Sequence, residues 1–146
     1  MRTFVVDSST CLKWVFEDEE DAIIAKKILL DYLSGNVMLV APNLWVYEVA
    51  NGIRSAVLSK RISEEKSHQL LDLVLKAKPA LFPMEQIMGG CLINSNKYQI
   101  SIYDSSYLTL AKQHRVKFIT RDEKLVKKLE DLDITVLLKD YEYEPS

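Results

Sequence analysis

The sequence predicts an α/β fold built on a central parallel sheet, and three observations predict it. Short apolar runs rich in β-branched residues recur along the chain, at Thr3–Val6, Val37–Val40, Lys117–Ile119 and Ile134–Val136. Runs of that kind read as strands buried on both faces. Segments with helical spacing of apolar residues separate them, and such alternation makes a parallel sheet with right-handed crossovers. Finally, 146 residues, 48% hydrophobic and 27% charged, suit one domain with a single core. The expected layout is a single α/β/α domain over residues 1–140, with a tail over 141–146. Its sheet should hold about four to five strands flanked by helices.

Each element has a local reason. The first strand stops at Asp7-Ser8-Ser9, residues suited to a turn or a helix cap. A short helix carrying Leu12, Trp14, Val15 and Phe16 should follow. The acidic run 17–21 then opens a second helix, where negative charge suits the positive end of the dipole. Its expected stripe is Ile23, Ile24, Ile28, Leu29 and Leu33, with Gly35 as the stop. After the second strand and Ala41-Pro42, Asn43 is placed to cap a helix from Leu44 to about Ser59, with Leu44, Val46, Val49, Ile53 and Val57 available for burial.

Ser63 opens the next helix, with Glu64 and Glu65 in its first turn and Leu70, Leu71, Val74 and Leu75 further on. Pro79 and Pro83 bracket Ala80-Leu81-Phe82, a short edge strand. A helix from about Met84 to Tyr98 should be weakened in its middle by Gly89-Gly90, by about 1 kcal/mol per glycine. Asp104 should start a helix through Ala111, and Asp122 a short one to Glu130. The closing residues YEYEPS read as a frayed end.

Composition excludes several classes of function. Lys plus Arg is 19 and Asp plus Glu is 21, a formal charge of -2, so no sequence-wide basic coat exists for nucleic acid. Cys11 and Cys91 lie in apolar surroundings without metal-type spacing, which excludes a disulfide scaffold or zinc ribbon and fits a reducing cytoplasm. No apolar stretch approaches the roughly 18 residues of a membrane span, so no membrane association is expected. Neither a GxGxxG nor a P-loop occurs. His68 and His114 lie apart in sequence and are read as structural or surface residues, which argues against a histidine-pair ribonuclease.

Ligands of open parallel sheets bind outside the carboxyl ends of the strands. Four acids map to that rim. Asp7 follows the first strand, Glu48 lies in the second turn after the second, Asp104 sits at a helix start, and Asp122 comes three residues after Ile119. Each has apolar neighbours in sequence, so none is expected to face open water. Singly, each has an ordinary explanation as a cap, turn residue or ion-pair partner. Together they would repel and be costly to desolvate without a counter-charge. No Lys or Arg lies within two residues of Asp7, Glu48 or Asp104, and all-oxygen ligation selects Mg²⁺ or Mn²⁺.

The segments VVDSS, PNLWVYE, SIYDSSYLTLA and FITRDEKL, in that order over nearly the whole chain, resemble those of the PIN-domain ribonucleases. The likeness is greatest to the VapC-type toxins of prokaryotic toxin–antitoxin systems. Its most specific pieces are Tyr-Asp-x-x-Tyr-x-x-x-Ala and Thr-x-Asp-x-x-Leu after a strand. The resemblance implies a PIN-like domain whose Asp7, Glu48, Asp104 and Asp122 hold Mg²⁺ or Mn²⁺ and cleave single-stranded RNA. Glu48 would serve as ligand or general base. The hydroxyls of Ser8 and Thr120 match positions that support the acid site, although ordinary cap and turn bonds explain them equally well. The resemblance also implies a homodimer and a VapB-like antitoxin as partner. Trp14 and Trp45 are possible interface residues, although large aromatics are more often core. Two departures from the family pattern are Ser105, where alanine is frequent, and Gln113-His114-Arg115, where glycine often precedes the strand.

Two other acid-bearing α/β classes fit poorly. A response-regulator receiver needs an acidic pair after its first strand, and Asp7 is followed by Ser8; a haloacid-dehalogenase phosphatase needs a second Asp where Ser9 stands. A PIN scaffold kept only for binding, in RNA processing or complex assembly, is the remaining alternative. Between Lys112 and Lys128 lie seven cations, Lys112, Arg115, Lys117, Arg121, Lys124, Lys127 and Lys128. Their placement beside Asp122 suggests a groove that tracks a phosphate backbone, with Arg121 and Lys124 as RNA contacts. Setting the four rim acids aside takes the formal charge from -2 to +2. The near-neutral total is thus an acidic centre beside a local basic stretch.

Overall fold

Residues 1–17 and 21–142 are described in the computed structural model. The first apolar run becomes β1 (Arg2–Val6), at the centre of a five-stranded sheet with β2 (Val37–Pro42), β3 (Ala80–Phe82), β4 (Lys117–Thr120) and β5 (Thr135–Leu137). The order is β3-β2-β1-β4-β5 and every pairing is parallel. Val5 lies opposite Val40 on one side and Phe118 on the other. The chain leaves β1 toward β2 and β3, then returns to lay β4 on the free side of β1. That reversal opens a crevice above the ends of β1 and β4, the usual place for a ligand in an open α/β sheet.

The connections form α1 (Ser8–Leu12), α2 (Ala22–Leu33), α3 (Leu44–Leu58), α4 (Glu64–Lys76), α5 (Met88–Tyr98), α6 (Ile102–His114) and α7 (Glu123–Lys128). Successive strand residues point to opposite faces, so each face needs its own cover. Phe4 meets the Tyr141 ring edge-on at 5.6 Å, and Tyr141 in turn donates its hydroxyl to Asp31 of α2. Phe118 stacks on Tyr107 of α6 at 5.6 Å. Helix α6 runs through the interior, with Ser105 to Ala111 all buried. Gly52 lets α1 approach α3, since a Cβ there would meet Leu12 Cδ1 at 2.4 Å.

Several local expectations differ from the structure. Helix α1 ends at Leu12, and Trp14 is reached through turns that bury it and let its Nε1 donate to Ala25 O at 3.0 Å. On α2 the buried residues are Ala22, Ala25 and Ile28, while Ile23 and Leu33 are exposed, because the small alanines let the helix lie close to the sheet. The acidic opening of α2 falls partly on residues 18–20, outside the described residues; Asp21 makes no cap bond. Asn43 is already helical in φ and ψ and makes no cap bond either. Buried on α3 are Trp45, Val49, Ile53 and Ala56, whereas Leu44, Val46 and Val57 are only half-buried.

The segment expected to run as one helix from Met84 begins with a 3-10 turn at Glu85–Ile87, and α5 proper starts at Met88. Gly89 and Gly90 therefore fall in its first turn, where they interrupt less. Ser101, not Asp104, caps α6: its hydroxyl accepts from Asp104 N at 3.0 Å. Helix α7 stops at Lys128, and β5 is shifted one residue, to Thr135–Leu137. Of the tail, Tyr141 is packed as above, and residues 143–146 lie outside the described residues. No helix among the described residues is long and apolar enough to cross a membrane.

Candidate active site

All four rim acids line one cleft of about 300 Å³, together with Ser8, Ser9, Tyr107 and Arg121. Four separate elements deliver them: the end of β1, the second turn of α3, the first turn of α6 and the β4–α7 junction.

Asp7 is the most constrained. It caps α1, its Oδ1 accepting from Thr10 N at 3.0 Å and from Ser9 Oγ at 2.8 Å. Its Oδ2 accepts from Thr120 Oγ1 at 2.5 Å, a bond spanning 113 residues of sequence. Thr120 is fully buried, and its oxygen also accepts from Asp122 N at 3.2 Å. Asp122 caps α7 through Leu125 N at 3.0 Å. Two of the four acids are thus helix caps whose remaining lone pairs stay available to the cleft. Contrary to expectation, Asp122 is exposed, because it stands at the mouth of the cleft.

Glu48 is held by a residue that the sequence reading used only as part of a motif. Tyr107, buried and stacked on Phe118, donates its hydroxyl to Glu48 Oε1 at 2.6 Å. Ser8 lines the cleft, while its neighbour Ser9 makes the bond to Asp7. The Tyr-Asp-x-x-Tyr spacing was the only sequence signal for Tyr107. For Ser9 the signal is its place in the Asp7-Ser8-Ser9 turn and in the segment VVDSS.

Asp7, Glu48 and Asp104 are all held above the usual carboxylate range, burial being the largest cause in each. Their neighbours' negative charge adds to the effect: Asp7 and Asp104 act on Glu48, and Asp122 and Asp7 act on Asp104. The hydrogen bonds from Thr120 and Ser9 oppose it at Asp7, as Tyr107 does at Glu48. Burial, then the charge of Glu48, pushes the Tyr107 hydroxyl far up, so it stays a donor. Lys128 of α7 is the cation that eases Asp104.

Two cations near the cleft are engaged. Arg121 Nε pairs with Asp21 Oδ2 at 2.7 Å, and Lys128 Nζ donates to Gln99 O at 2.8 Å. Lys124 is exposed on α7. The expected continuous basic groove is divided. Strand β4 carries the chain about 10–13 Å along the sheet at ~3.3 Å per residue. Lys112, Arg115 and Lys117 consequently lie at the opposite end of the strands, beside Arg2.

The donor set suits a hard divalent cation: four carboxylates share one cleft, where Arg121 in the lining and Lys128 near Asp104 offset only part of their mutual repulsion. Among the described residues, no three His, Cys, Asp or Glu side chains close around one ion position. That openness is compatible with Mg²⁺, which keeps several waters and takes one or two carboxylates rather than a complete protein cage.

Comparison with known proteins agrees with this geometry. The PIN domain is matched over residues 4–131. The ribonuclease VapC1 of Mycobacterium tuberculosis is 30% identical over 124 residues, 83% of this chain and 86% of the relative. Among solved structures, PAE2754 from Pyrobaculum aerophilum superposes with a TM-score of 0.70 at 17% identity, covering 94% of this chain and 92% of that one. A toxin–antitoxin complex from Klebsiella pneumoniae gives 0.64 at 18%, covering 95% and 98%. VapBC2 from Rickettsia felis, bound to a DNA fragment from its promoter, gives 0.61 at 13%, covering 92% and 96%. The chain belongs to the PIN-domain family, as a VapC-like member.

Proposed function

We propose that this protein is a divalent-metal-dependent endoribonuclease that hydrolyses phosphodiester bonds of single-stranded RNA, acting as a VapC-like toxin. The observation that carries the reading is the convergence of Asp7, Glu48, Asp104 and Asp122 on one cleft. Asp7, Asp104 and Asp122, directly or through waters that the ion retains, with Glu48 as a further ligand or as general base, would hold Mg²⁺ or Mn²⁺. When bound, the ion lowers the pKa of water and neutralises charge developing on the phosphate.

The chain's own groups do the positioning. Thr120, Ser9 and the Thr10 N–H fix both oxygens of Asp7 at the floor. Tyr107 aims Glu48 into the cleft. Arg121, braced by Asp21, lines the cleft, and Lys124 is exposed two residues after Asp122; both would meet substrate phosphates and register the strand.

Relatives of this fold in complexes named toxin–antitoxin and VapBC2 support a VapB-like antitoxin as partner. Exposed Ile23, Leu30 and Leu33 on α2, and Leu92 and Ile93 on α5, are apolar surface of the kind that antitoxin or homodimer contacts cover. A cytoplasmic site of action goes with an RNA substrate.

The test is cleavage of a labelled single-stranded RNA while Mg²⁺ or Mn²⁺ is titrated against a chelator. Asp7→Asn should abolish metal-dependent cleavage while the variant keeps its circular dichroism spectrum. Undiminished turnover in that variant would sink the assignment. Metal-independent binding without any cutting by the parent protein would instead favour the binding-scaffold reading.

A further inference from the structure

The half of the basic run that β4 carries away from the acids builds a second cleft, at the amino ends of β1, β4 and β5. It holds about 550 Å³, within the range of small-ligand sites. Four cations line it, Arg2, Lys112, Arg115 and Lys117, against a single carboxylate, Asp133. Thr3 and the apolar Val116, Leu132 and Ile134 complete the lining. Like charges gathered this way repel unless an anion covers them.

Their engagements differ. Lys117 is committed to Asp133, pairing with its carboxylate at 3.4 Å and donating to its backbone oxygen. Arg2 lies over the Phe4 ring at 4.8 Å, a contact that leaves its N–H edge to donate outward. Lys112 lies over the Tyr98 ring at 5.8 Å and donates to Asn94 Oδ1 at 3.5 Å, a long bond. Arg115 is exposed and makes no ion pair among the described residues.

The backbone supplies an independent argument. Helix α6 ends with Arg115 in the left-handed region, φ 56 and ψ 46. Val116 N donates back to Ala111 O at 3.0 Å and Arg115 N to Lys112 O at 3.2 Å, the Schellman closure in which glycine is the favoured residue. An arginine stands where the backbone favours glycine, and it places a guanidinium on the cleft.

We propose that this cleft binds nucleotide phosphate, either of a free nucleotide or of an RNA strand. Two guanidiniums supply planar forks that match phosphate oxygens in pairs. The apolar lining offers a surface for a nucleoside ring, which an acidic peptide would not use. The site is separate from the acid cleft and does not rest on metal-dependent cleavage.

Binding is measured on the full chain in chelator, where the acid cleft repels anions, using adenosine triphosphate by calorimetry and a short fluorescein-labelled RNA strand by anisotropy. Arg115→Gly relieves the left-handed backbone, so the variant should melt no lower than the parent. It should nonetheless bind about tenfold more weakly, with the log–log salt slope for RNA reduced by about 0.7 for one lost phosphate contact. Adding Lys112→Ala should weaken binding again. Loss of triphosphate binding in Arg115→Gly identifies a free-nucleotide site, and loss confined to RNA identifies a strand site. Three results would overturn the proposal: no binding of either probe, affinities within twofold of the parent in both variants, or binding of poly-glutamate with nucleotide and RNA inert. The chelator excludes metal-dependent cleavage, which keeps this outcome distinct from that of the cleavage assay.

Discussion

Replacing Tyr107 with phenylalanine isolates one bond of the acid cleft. The ring is buried and stacked on Phe118 at 5.6 Å, and phenylalanine keeps both features. What goes is the 2.6 Å hydrogen bond to Glu48 Oε1. A bond to a charged acceptor contributes about 1.5–3 kcal/mol. Glu48 is only half-buried, so water replaces part of it, leaving about 1–2 kcal/mol. At ~1.4 kcal/mol per factor of ten, that is about a 5- to 30-fold loss in cleavage rate or metal affinity.

The bond favours the charged form of Glu48, so its loss must raise a pKa that burial already holds high. Metal then has to displace a proton more often, and the defect should grow as pH falls. The assay is RNA cleavage against Mg²⁺ concentration at several pH values, because a carboxylate held up by burial competes with metal for its proton more strongly as pH falls. The melting temperature should move by only a few degrees, since about 1 kcal/mol shifts a domain of this size by ~2–4 °C. Rates and metal dependence within twofold of the parent at every pH would refute the reasoning.

Asp104→Asn should stabilise the metal-free protein while destroying cleavage. Its folded pKa is raised, so the stability contributed by protonation is full below the ordinary carboxylate value and lost as pH rises through the folded value. Melting in chelator should therefore show the gain at pH 7 and little of it near pH 4 (about the unfolded pKa). Thr120→Val keeps the strand but leaves Asp7 Oδ2 and Asp122 N without their partner. A cost of about 1–3 kcal/mol and weaker metal binding are expected, read by urea titration with and without Mn²⁺. Ser101→Ala removes the cap of α6 next to Asp104 and should cost about 1 kcal/mol by the same titration.

The sequence by itself determined the architecture. Short continuous apolar runs at Thr3–Val6 and Val37–Val40, bounded by turn residues, read as interior strands, and acids that follow such strands fall at the sheet's carboxyl rim. That logic reaches Asp7, Glu48, Asp104 and Asp122 because chain position alone fixes which end of a parallel strand a residue occupies. Capping is less legible. Ser63 and Asp7 act as expected, but Asn43 does not and Ser101 displaces Asp104, because a cap depends on one residue's φ and ψ.

Only the tertiary structure decided how the rim is held and where the cations go. Thr120 reaches Asp7 across 113 residues, and Tyr107 reaches Glu48 across 59. Such partners come together through sheet order and helix packing, which local spacing does not encode. The basic run looked continuous from Lys112 to Lys128, yet a four-residue strand turns it into two surfaces at opposite ends of the sheet. A parallel strand translates the chain through the molecule, so neighbours in sequence on either side of it face different solvent. Charge read along the chain therefore found the cations, and the strand decided which of them stand beside the acids.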